Sequence, residues 1–182
     1  MTFDANSPPA PDRTVLAALV LGNLAAARAF GLDADGLAAE AELDLASLAD
    51  PDGRVPFERH LALLEAVERT PRAVEFGVWM GKNLSVETLG VVGFVMQHAP
   101  DVRSAIACLD RFQRLLGDGI GPDIREVGST LVLERVEPPR IARLMASSLA
   151  APLGTVTLLH DLMGGAPQEP IALEVTFQHP PA

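Results

Sequence analysis

The 182-residue chain predicts an α+β domain in which a helical N-terminal part packs with a small antiparallel β-sheet formed by a hairpin and a C-terminal strand. Three observations carry this expectation. Between residues 14 and 116 apolar side chains recur at spacings of three and four, the period of a helix buried on one side. After residue 123 the pattern becomes strand, turn, strand, with Gly128 and Ser129 at the turn. Near the end, Ile171, Leu173, Val175 and Phe177 alternate with Ala172, Glu174, Thr176 and Gln178, which buries one face of a strand. Helices followed by segregated strands is the α+β order.

Residues 1–13, with Pro8, Pro9 and Pro11, read as a flexible leader, and 14–182 as one domain. A helix is expected over 14–30, stopped by Gly31, and a short Ala- and Glu-rich helix over 35–43. Residues 50–54 have the composition of a tight turn. Pro56 then suits a first helical position, and Phe57, Leu61, Leu64 and Val67 share one face of the helix that follows. A short helix is expected over 74–84. Over 85–98 the apolar run with Gly90 and Gly93 fits a buried helix capped by Ser85, or a central strand, with the helix preferred.

Ala99, Pro100 and Asp101 break the chain before a clearer helix, whose stripe is Val102, Ala105, Ile106, Leu109, Phe112 and Leu116. Strands follow over 124–127 and 130–136. Pro138 and Pro139 open a helix towards residue 163 that Pro152 should kink or split, and Gly164 and Gly165 close it.

Composition excludes several function classes. A 48% hydrophobic content argues against disorder, while 14 basic against 24 acidic residues give a net charge of −10. Affinity for phosphates comes largely from Lys and Arg, so the chain by itself should bind DNA and anionic membranes poorly. The single Cys108 permits no internal disulfide and reads as a small buried hydrophobe. The N-terminus lacks the basic and apolar regions of a secretory signal, and the run over 15–27 is too short to span a bilayer, so a cytoplasmic protein is expected.

Chemistry-bearing motifs are lacking. The sequence contains no GxGxxG, P-loop, GxSxG or HExxH pattern. His60, His98, His160 and His179 lack partners at metal-ligand spacing, so no metal or cofactor is expected. Asp33 to Gly36 reads as a helix-capping turn rather than a calcium loop. No pair of carboxylates flanks a shared reacting bond, and no residue nominates itself as catalytic.

Several stretches in order resemble a known family. Leu48-Ala49-Asp50-Pro51-Asp52-Gly53-Arg54-Val55-Pro56, followed by Phe57-Glu58-Arg59, opens it. Then come Glu75-Phe76-Gly77-Val78-Trp79-Met80-Gly81, Leu89-Gly90-Val91-Val92-Gly93-Phe94, and Leu109-Asp110-Arg111-Phe112-Gln113-Arg114-Leu115-Leu116. Together they resemble the N-terminal, arabinose-binding-type domain of AraC-type transcription regulators. Gln113 departs from the His often found in relatives. The resemblance implies a small-molecule effector, homodimer formation, and control of DNA through a C-terminal helix-turn-helix domain that this chain lacks; a truncated protein or a free-standing sensor is expected.

The low aromatic content, 4%, points to a largely apolar effector, with any carboxylate met by an Arg. The side chains expected to line its pocket are Trp79, Phe94, Met96, Phe112 and Met145, with Arg111 or Gln113 as polar contacts. The competing reading is a ligand-free dimerisation or protein-interaction module, in which Gly90 and Gly93 serve close helix packing.

Overall fold

The computed structural model describes residues 13–118, 120–128, 130–134, 139–162 and 164. It begins with a strand. Thr14–Leu16 (β1) pairs antiparallel with Arg54–Pro56 (β2), Val15 opposite Val55. The helix expected from residue 14 therefore starts three residues later, as α1, Ala17–Phe30. β-Branched Thr14 and Val15 suit extended backbone, and pairing buries Val15 completely. Gly31 ends α1 in the left-handed conformation, φ 93°, as its position in the sequence anticipated.

Asp33 caps α2, Ala34–Glu40, by accepting the Gly36 N–H at 3.0 Å. The turn over 50–53 returns the chain into β2, which feeds directly into α3, Phe57–Glu68. Here the buried set is Phe57, His60, Leu61, Leu63, Ala66 and Val67, while Leu64 is half-buried. The buried face is wider than a single stripe because α3 touches both α2 and a later helix, α8, Met145–Leu162.

Ala73–Lys82 forms α4. The segment over 85–98 is not one helix: a 3₁₀ turn over Val86–Leu89 precedes α5, Val91–Gln97. Gly90 separates them at φ 58°, ψ −134°, a conformation that an L side chain rarely adopts. Ser85 makes no capping hydrogen bond from its side chain. The clearer helix is α6, Val102–Leu116, capped by Asp101. Asp123–Val127 (β3) and Thr130–Glu134 (β4) form the expected hairpin, which is a separate sheet among the described residues. The strand expected over 171–178 lies outside the described residues.

The last helical stretch divides into α7, Pro139–Ala142, and α8. The division falls at Arg143 and Leu144, not at Pro152, which lies inside α8. Helix α4 packs along α8 on both sides of that proline, from Ala146 to Thr157, and keeps the two halves in line. This contact is backbone to backbone. A Cβ on Gly77 would lie 2.4 Å from the Ala146 carbonyl oxygen, and one on Gly81 would lie 2.6 Å from Leu153 Cβ. Thr157 Oγ1 donates to the Gly81 carbonyl at 3.0 Å. At its other end α8 is tied to α3, where Glu68 accepts the Ala146 N–H at 2.9 Å. Arg140 of α7 reaches Glu58 at 2.9 Å and Glu65 at 2.8 Å.

Two apolar clusters result. One lies among α1, α2, α3, α4 and the start of α8, and includes Val20, Leu61, Phe76 and Ala146. The other lies among the 3₁₀ turn, α5, α6 and the end of α8, and includes Val86, Met96, Ala105 and Leu116, with Leu158 and Leu162 packed on it. The chain end of α6 is pinned to β1 by Asp118. Its carboxylate accepts the Thr14 N–H at 2.8 Å and the Thr14 hydroxyl at 3.2 Å, with Arg54 at 3.7 Å. Arg13 donates to its carbonyl at 2.6 Å. The Thr14 N–H bond, helped by the nearby Arg54 and Arg13 charges, holds the Asp118 carboxyl below its ordinary range.

Two outcomes follow from these contacts. Gly77→Ala should destabilise the domain by about 1–3 kcal/mol despite alanine's better helix propensity, because the obstructing atoms are backbone; denaturant unfolding measures it. Asp118→Asn should cost about 1 kcal/mol at neutral pH, a value discounted for solvent screening. The folded-state carboxyl is depressed, so its contribution is present above the unfolded pKa and fades as pH falls through the folded one. The gap between wild type and variant in thermal melts should therefore close below about pH 4, and a constant gap down to pH 2 would contradict it.

Candidate ligand-binding groove

The second apolar cluster opens to solvent through a groove of about 540 Å³. Three stretches of chain build it. The 3₁₀ turn supplies Val86 and Glu87; the α5–α6 junction supplies Met96, Pro100, Asp101 and Val102; the last turn of α8 supplies His160, Asp161 and Leu162. Its floor is apolar and fully packed beneath, since Val86, Met96 and Ala105 are each no more than 3% exposed. The volume lies in the ordinary range for a small-molecule site. A second cavity, beside Phe76 and Met80, holds only about 20 Å³, room for a water at most.

The floor exists because Gly93 lacks a side chain. A Cβ there would lie 1.8 Å from the Val86 carbonyl oxygen, so only glycine lets α5 lie flat on the 3₁₀ turn and bring Met96 beside Val86. The rim is set by the α6 cap. Asp101 accepts the Ser104 N–H at 2.7 Å, and this bond, with a smaller share from the Ser104 hydroxyl and Arg103, holds its carboxyl below the ordinary range. Asp161 stands 4.0 Å from His160 Nδ1. Among the described residues lining the groove there is no Lys or Arg.

The side chains expected from the sequence fall in several places. Met96 lies in the groove floor, and Phe112 packs against the same apolar cluster without lining the groove among the described residues. Trp79 lies against the other cluster, its ring 5.7 Å from that of Phe30. Phe94 is 61% exposed and stacks on His98, with ring centroids 4.2 Å apart. Arg111 lies over the Phe112 ring at 5.2 Å and is not among the described residues that line the groove. Gln113 is half-buried, its amide nitrogen 3.4 Å from Asp110 and its oxygen against Gly121. Met145 is 39% exposed at the first position of α8. The seven do not close around one cavity among the described residues.

Sequence reasoning missed Glu87, Asp101, His160 and Asp161 as groove residues. Glu87 and Asp101 carry a signal, since each sits at a helix start, but that signal reports capping and is silent about a shared rim. His160 and Asp161 lie some way along the chain from both, and no spacing rule connects them.

Among the described residues no three His, Cys, Asp or Glu side chains stand close enough to hold a metal ion. No helix there is long and apolar enough to cross a membrane. The ordered glycine stretches have structural work: Gly77 and Gly81 admit α8, Gly90 turns the chain, and Gly93 seats α5. These glycines thus encode helix packing, and the groove follows from it. A comparison with curated proteins gives no match. Residues 31–182 match the family described as the arabinose-binding domain of AraC transcription regulators, N-terminal. That match spans most of the chain, which therefore belongs to this family of ligand-sensing regulatory domains.

Proposed function

We propose that this domain senses a small, largely apolar effector in the groove and passes its state to a DNA-binding domain, acting as a homodimer in the cytoplasm. The observation that carries the reading is a groove of about 540 Å³ with a buried apolar floor, in a chain of a ligand-sensing family. Of the side chains proposed from the sequence, Met96 and Phe112 keep a place in this reading, Met96 as floor and Phe112 as part of the apolar cluster under it. Helix α8 links the groove to the rest of the domain: its last turn lines the groove, and its body is locked to α4. An effector resting on Asp161 and Leu162 would bias how α8 sits on α4.

The test is a thermal-shift screen of a broad small-molecule library against the full chain and against Val102→Trp, which fills the groove from a half-buried wall position. A true effector at a hundred times its Kd should raise the wild-type Tm by roughly 5–10 °C and leave the variant unmoved. No hit, or hits that survive Val102→Trp, would sink the groove reading.

A second reading, a ligand-free interaction module, is favoured by one feature. Val91 and Phe94 stand one turn apart on α5 and are 55% and 61% exposed. Phe94→Asp should weaken self-association by at least about tenfold in light scattering if this face forms the dimer. An unchanged association constant would place the interface elsewhere.

A further inference from the structure

We draw no further inference here: the strongest candidate, the exposed apolar face that Val91 and Phe94 present on α5, carries nothing beyond the second reading above, because nothing in the structure shows what covers it.

Discussion

The contact on which the fold turns is the backbone-to-backbone approach of α4 to α8. Gly77 sits against the Ala146 backbone, and Gly81 against Ala150 and Leu153. Helices that approach this closely leave no room for a methyl group at the crossing. The gain is dense packing along the whole length of α8, and the cost is that no side chain is tolerated at two positions of α4. Pro152 illustrates the hold. It lacks the N–H that would continue the helix ladder, yet α8 runs through it because α4 braces both halves.

With α8 fixed in this way, one helix belongs to both apolar clusters. Its first residues close the cluster around α1, α3 and α4, and its last turn closes the cluster around α5 and α6. The groove forms where the second closure is incomplete, between the end of α8 and the α5–α6 junction. A ligand bound there would touch the far end of an element whose first turn is anchored to α3 through Glu68, next to α7, which Arg140 ties to the same helix. A displacement at one end of α8 has a rigid path to the other, which is the property a sensing domain needs. The Asp118 network serves a related purpose by holding the end of α6, one wall of the second cluster, to Arg13 and β1.

Much of the fold was legible where local chemistry decides. The stop at Gly31, the Asp33 cap, the turn over 50–53, the α6 stripe and the β3–β4 hairpin all depend on residues within a few positions of one another. Where the structure departs from expectation, the cause is a partner remote in sequence. Thr14–Leu16 is a strand because Arg54–Pro56 lies beside it, and its helical periodicity yields to that pairing. The break before α8 falls at Arg143 and Leu144 instead of Pro152 because α4 supports the proline. Leu64 gives way to Leu63 in the core because α3 is packed on two sides. The candidate site was less legible. Met96 was reachable as an apolar residue near glycines, but a partly exposed Phe94 and a buried Met96 look alike in a sequence two residues apart.

Fold class, family and acidic character are written in the chain itself, because they rest on periodicity, on the order of short stretches and on composition. The position of the groove and the charges that surround it come from tertiary packing alone. Glu87, Asp101 and Asp161 become neighbours of one cavity through the packing of three elements, and distances across a cavity have no counterpart in spacing along a chain.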